Sequence, residues 1–251
     1  MNYTLLPLIK TCAQKKDLYM GIKLHEHIRR KKGLLETSIY LASCLISMYS
    51  KCGMLEKAHE VHKDIGSPNI FSWNALISAY TQHDHIDEAL HCFERMPNEG
   101  LCRDSFTFSC IVKACGNLGA IDTAQDIHIS LIKVGLIGNA TLCMENRSRV
   151  CELDCTESIL CNALVDMYSK CGELIKAQEV FDELFIRDVV SWNSLITGFS
   201  QCELDCEALT YFKRMQDEGV TPNAITFSCI LKACSSLGFG RKGEEIHAEV
   251  R

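Results

Sequence analysis

Apolar residues recur along this chain at helical spacing, and nowhere do they alternate with polar ones over a strand-length stretch. Leu160, Leu164, Val165 and Tyr168 mark one helix face. Gly172 follows, a residue suited to the left-handed position that ends a helix. Leu174, Ala177, Val180, Phe181 and Leu184 then form a second stripe. The pattern predicts a helix, a tight turn and a second helix. The same break recurs at Gln82-His83-Asp84, where Asp84 with Asp87 predicts an N-cap and an acidic first turn. No segment reads as a strand, so the chain is expected to be all-α.

The pattern is periodic. Ser72-Trp73-Asn74-Ala75-Leu76-Ile77 returns 119 positions later as Ser191-Trp192-Asn193-Ser194-Leu195-Ile196. Met48-Tyr49-Ser50-Lys51-Cys52-Gly53 and Phe108-Ser109-Cys110-Ile111 return at the same interval. Lys113-Ala114-Cys115 returns as Lys232-Ala233-Cys234, and Lys10-Thr11-Cys12 is a copy only 103 residues upstream. The excess lies between Asn139 and Ser158. Without it the period is near 101, too long for one helix pair, and it divides into units of three kinds. They run 2–36, 39–69, 70–104 and 105–139, then an insertion or loop at 140–157, then 158–188, 189–223 and a partial unit 224–251. One helix pair cannot bury its apolar faces alone, whereas stacked pairs share a continuous core. The expected architecture is a right-handed α-solenoid superhelix of about seven helix-turn-helix repeats, the last incomplete, with one concave face.

Units of 35, 31 and 35 residues in rotation resemble the L, S and P motifs of plant pentatricopeptide repeat proteins of the PLS subfamily. Phe106-Thr-Phe-Ser109 with Lys113-Ala-Cys115 and Ile127-His128 resembles the L type. Asn162-Ala-Leu-Val-Asp-Met-Tyr-Ser-Lys-Cys-Gly172 with Val180-Phe-Asp-Glu183 resembles the S type. Ser191-Trp-Asn-Ser-Leu-Ile196 with Glu207-Ala-Leu209 and Phe212-Lys-Arg-Met215 resembles the P type. Trp73, Leu76 and Tyr80 also follow the tetratricopeptide pattern, but that family keeps one period of 34.

The resemblance implies single-stranded RNA binding, one base per repeat. It implies that the fifth and last residues of each unit face the base. These are Ser43 with Asn69, Asn74 with Asp104, Ser109 with Asn139, Asn162 with Asp188 and Asn193 with Asn223, while Ser228 opens the register in the partial unit. Leu6 with Glu36 forms no recognisable pair. Singly, an Asn at a helix start reads as a cap; its recurrence at one register favours recognition. Asp is acceptor-only and suits uracil N3–H, whereas Asn can donate and suits cytosine N3. The small-residue pair Ser with Asn is implied for adenine, so the implied reading is A-U-x-U followed by C or U, for which A-U-x-U-C is the probe. The second residues, Tyr40, Phe71, Phe106, Ile159, Val190 and Ile225, are expected to pack on base faces. Lys51 and Lys170 share a register and are candidates for phosphate, against the reading of ordinary solvated lysines.

Charge complicates this picture. The formal net charge is −6, which excludes a generally basic nucleic-acid coat. Residues 1–33 nevertheless carry eight Lys or Arg against two acids. That basic start is expected to belong to the first repeat rather than to a transit peptide, leaving no targeting segment ahead of Met1. No apolar run is long enough to span a membrane. With no signal peptide the 16 cysteines are expected to be reduced, and the sequons at Asn2, Asn139 and Asn146 carry little weight. Six cysteines share registers (Cys52 with Cys171, Cys110 with Cys229, Cys115 with Cys234) and are expected in the core. Cys151-Glu-Leu-Asp-Cys155 in the insertion recurs verbatim at 202–206, which suggests a local duplication or a misjoined exon, giving a loop or an irregular helix.

The zinc deaminase signature His-x-Glu with Pro-Cys-x-x-Cys is incomplete: there is no Cys-x-x-Cys, and His247 shares the register of His25 and His128. No cofactor, metal site or enzymatic activity is implied. The resemblance implies a mitochondrial or plastid RNA-modification role, selecting C-to-U editing sites for a deaminase-bearing protein supplied in trans. The alternatives are a protein-binding scaffold or a truncated copy without activity. Truncation is an expectation that rests on three readings of the sequence: no targeting segment, no C-terminal extension, and a last unit cut inside its second helix.

Overall fold

The computed structural model describes residues 5–31, 38, 40–137, 150–184 and 186–240. Among them it contains thirteen helices and no strand. The helices are α1 (Leu5–Lys15), α2 (Leu18–Arg30), α3 (Leu41–Lys51), α4 (Leu55–Lys63), α5 (Ile70–Gln82), α6 (Ile86–Asn98), α7 (Ser105–Leu118), α8 (Ile121–Val134), α9 (Val150–Lys170), α10 (Leu174–Glu183), α11 (Val189–Gln201), α12 (Asp205–Asp217) and α13 (Ala224–Ser236). Two compact units are distinguished, residues 1–111 and 112–251.

Within the first unit α1, α3 and α5 stack in sequence, and each packs against the second helix of its own pair, α2, α4 and α6. The second unit repeats the plan, with α9, α11 and α13 stacked and α10 and α12 as the partners of α9 and α11. The two apolar stripes read from the sequence are the reason. Leu160, Leu164, Val165 and Tyr168 are buried on α9, as are Leu174, Ala177, Val180 and Phe181 on α10. Each large side chain so buried contributes roughly 1.5–3 kcal/mol. Trp73 and Trp192, among the largest fully buried residues, anchor α5 and α11.

The turns explain one departure from expectation. Gly53 and Gly172 take the left-handed conformation between paired helices, at φ of 75° and 78°. In the pairs α5–α6 and α11–α12 this position belongs to Asp84 and Glu203, at φ of 60° and 61°. Asp84 is therefore not the N-cap; His85 is, with no side-chain capping bond, and Asp87 and Glu88 supply the acidic first turn. The segment 140–157 was expected as an insertion forming a loop or an irregular helix; residues 150–157 form the start of α9, which continues into the repeat's first helix without a break. The earlier part, 140–149, lies outside the described residues.

Histidines and cysteines have packing roles. His25 Nδ1 is 2.8 Å from Tyr49 Oη and His128 Nδ1 is 2.9 Å from Tyr168 Oη, each pair edge-to-face. Burial lowers both imidazole pKa values and pushes both phenols up to about 12. His247 lies outside the described residues. Cys115 and Cys234 are buried, whereas Cys52, Cys110, Cys171 and Cys229 are half-buried, so the repeated cysteines are core only in part. All the cysteines described are free thiols.

Candidate nucleic-acid interface

The residues expected to read bases sit where a helix begins. Asp104, Asp188 and Asn223 immediately precede α7, α11 and α13, and each carboxylate or amide oxygen accepts main-chain N–H groups of the first turn. Capping thus fixes the side chain's position before any ligand is considered.

In three repeats the last residue is also bonded to the fifth. Asn74 Nδ2 donates to Asp104 Oδ1 and Oδ2 at 3.1 and 3.2 Å. Asn162 Nδ2 donates to Asp188 at 3.2 and 3.4 Å. Asn193 Nδ2 donates to Asn223 Oδ1 at 3.0 Å. The fifth residues are the more buried partners: Asn74 and Asn193 are each 7% exposed. Asp188 and Asn223 face solvent, and Asp104 is half-buried. The outward chemistry consequently differs between pairs. Asp104 and Asp188 present carboxylate oxygen. Asn223 spends its oxygen on Asn193 and two main-chain N–H groups, which leaves its amide N–H2 to point outward.

A third residue enters this arrangement, one the sequence reading did not single out. Thr107 and Thr226, the third residues of the following units, are fully buried and place their hydroxyls 2.6 Å from Asn74 Oδ1 and Asn193 Oδ1. The signal was present in the repeat of Thr107-Phe-Ser109 as Thr226-Phe-Ser228.

The remaining candidates are placed as follows. Ser43 turns its hydroxyl onto Tyr40 O, and Asn69 caps α5 in a reciprocal box with Ser72. Ser109 is half-buried and Ser228 exposed, while Asn139 and Glu36 lie outside the described residues. In the first unit Tyr40, Phe71 and Phe106 are exposed large apolar residues, as are Ile159, Val190 and Ile225 in the second. The Tyr40 and Phe71 rings lie 4.8 Å apart, centroid to centroid. Lys51 borders a groove between α1 and α3 with Lys10, Gln14, Ser43 and Ser47. Lys170 is held by Asp166 at 2.8 Å and Asn117 at 3.3 Å. Among the described residues no group of three His, Cys, Asp or Glu is placed to hold a metal ion, and no helix is long and apolar enough to cross a membrane.

Comparison with known proteins bears on this geometry. The PPR repeat family model matches residues 68–117 and 187–236, and the PPR repeat model matches 41–67 and 159–189, together more than half of the chain. A chloroplastic pentatricopeptide repeat-containing protein of Arabidopsis thaliana is 34% identical over 239 residues, which is 94% of this chain and 41% of that protein. A mitochondrial one from the same plant is 32% identical over 249 residues, 99% of this chain and 22% of that protein. The chain thus spans well under half the length of either. The crystal structure of the pentatricopeptide repeat protein PPR10 from maize superposes with a TM-score of 0.74 at 22% identity, covering 97% of this chain and 32% of that one. The shared fold is an all-α repeat solenoid.

Proposed function

The chain belongs to the PPR repeat family, and we propose that it binds single-stranded RNA in a sequence-dependent way, one base per repeat. The observation that carries this reading is the recurrence of a fifth-to-last hydrogen bond at one register, with different chemistry facing outward. A carboxylate at Asp104 and Asp188 accepts an N–H, as uracil N3 offers. An outward amide N–H2 at Asn223 donates to a bare ring nitrogen, as cytosine N3 offers. Base faces would stack on Tyr40, Phe71 and Phe106 in the first unit, and on Ile159, Val190 and Ile225 in the second, at on the order of 1–3 kcal/mol per base for the aromatic contacts. Lys51 and Lys170 would neutralise phosphates.

The chain's work is binding, and no residue in it is assigned a bond-making role. The relatives named chloroplastic and mitochondrial support an organellar RNA as target. The rotation of L, S and P units supports selection of C-to-U editing sites, with the deaminase supplied by another protein. The reading is tested by equilibrium binding of the chain to A-U-x-U-C RNA against A-G-x-G-C. Preference for the first supports it, and equal affinity for both refutes it.

A further inference from the structure

The three amide-containing pairs are not equivalent, and the difference lies outside the pair. In the pair Asn193–Asn223, Thr226 Oγ1 is 2.6 Å from Asn193 Oδ1 and 3.2 Å from Asn223 Oδ1. In the pair Asn74–Asp104, Thr107 Oγ1 is 2.6 Å from Asn74 Oδ1 and 2.7 Å from Asp104 Oδ1. The hydroxyl has one proton. Asp104 Oδ1 already accepts Thr107 N–H and Asn74 Nδ2–H. With Asn74 Oδ1 at 2.6 Å and Asp104 Oδ1 at 2.7 Å, that proton is shared between the two oxygens. Both amides are then held at two ends, nitrogen on the last residue and oxygen on the threonine.

Asn162 lacks this clamp. The third residue of its following unit is Ser191, whose hydroxyl turns back and donates to Asp188 O at 2.8 Å. Asn162 Oδ1 is left buried with no hydrogen-bond partner, and its bonds to Asp188 are the longest of the three sets. A buried amide oxygen without a donor is costly, and rotation of the side chain toward solvent relieves that cost. Asn162 therefore has reason to sample several orientations, whereas Asn74 and Asn193 have one.

We propose that the third residue of each following repeat sets how sharply the preceding pair reads its base. Thr107 and Thr226 are positioning residues that lock the reading amides, and Ser191 leaves unit 158–188 the least selective of the three. The inference rests on the base-reading function proposed above, and it assigns specificity to a residue that touches no base.

The test uses the whole chain and A-U-x-U-C RNA, varied one base at a time opposite units 70–104, 158–188 and 189–223. The readout is the ratio of Kd for the preferred base to that for each alternative, with thermal melts confirming that every variant folds. Ser191→Thr is expected to raise discrimination opposite unit 158–188 about fivefold, the scale of one net hydrogen bond, and to leave the other positions unchanged. Thr107→Ser and Thr226→Ser are expected to lower discrimination at their own positions only. A purely structural role would change overall affinity or melting temperature without moving one position's ratio. If the unmodified chain discriminates at these positions and none of the three variants moves its own ratio, the proposal is overturned while base reading stands. If the unmodified chain discriminates nowhere and Asn74→Ala changes nothing, base reading fails and takes the proposal with it.

Discussion

His62 packs edge-on against Trp73, with ring centroids 4.4 Å apart, in the position where the next period places Phe181 on Trp192 at 4.7 Å. A titratable ring thus stands in a core slot that the same fold elsewhere fills with an apolar one. His62 is 6% exposed and its Nε2 has no hydrogen-bond partner. Burial lowers its pKa from 6.5 to about 4; His59 and Arg95 reinforce the shift, and Glu99 opposes it.

The sign of the consequence follows from linkage. The folded state holds His62 neutral, while the unfolded chain takes up the proton near 6.5. Stability is full above pH 6.5 and falls as pH drops toward 4. Between pH 7.5 and 5 the loss from this residue alone is about 2 kcal/mol. His62→Phe should remove that part of the pH dependence in urea titrations at the two pH values. An unchanged pH slope in the variant would contradict the account.

Helix approach gives a second prediction. A Cβ at Gly116 on α7 would lie 2.9 Å from the Met167 Cα on α9. Gly116→Ala gains up to about 1 kcal/mol of helix propensity, but the backbone contact forces the helices apart at a cost of about 1–3 kcal/mol. The expected net result is a lower melting temperature. A higher one would mean that α7 and α9 are not in this contact.

The lysines are not interchangeable, although their register is the same. Lys170 must leave Asp166 and Asn117 before it can meet a phosphate. Lys51 lines a groove with a second cation, Lys10. Each phosphate contact on a single strand contributes about 0.7 to the slope of log affinity against log salt. Lys51→Ala should reduce that slope by about 0.7, and Lys170→Ala by less, as read from RNA binding at several salt concentrations. Equal reductions would show that the Asp166 contact does not compete.

Much of the fold was legible because one physical cause dominated locally. The stripes from Leu160 to Leu184 had one solution, a helix pair turning at Gly172, and those residues pack so. Asp84 was misread because an Asp before a helix signals a cap, while the turn geometry demanded a left-handed residue one position earlier than the cap. The insertion was read as a loop or an irregular helix because it has no counterpart in the first pass of the repeat, where periodicity is silent; residues 150–157 are helical. Fifth and last residues were picked out by register. Thr107 and Thr226 share a register too, but the repeat does not show what they touch: their role depends on a contact across 33 residues.

The central claim is that the last residue of a repeat chooses the base, and Asp104→Asn tests it most directly. The substitution converts the Asn74–Asp104 pair into the Asn–Asn pair seen at Asn193–Asn223. The fold should tolerate it, because Asn223 caps α13 by accepting from Thr226 N–H as Asp104 caps α7 by accepting from Thr107 N–H. Binding to A-U-x-U-C and to A-C-x-U-C RNA is the measurement. The account predicts that preference at the second base moves from U toward C, with the other positions unchanged. An unaltered preference for U, in a variant that melts like the parent, would contradict it.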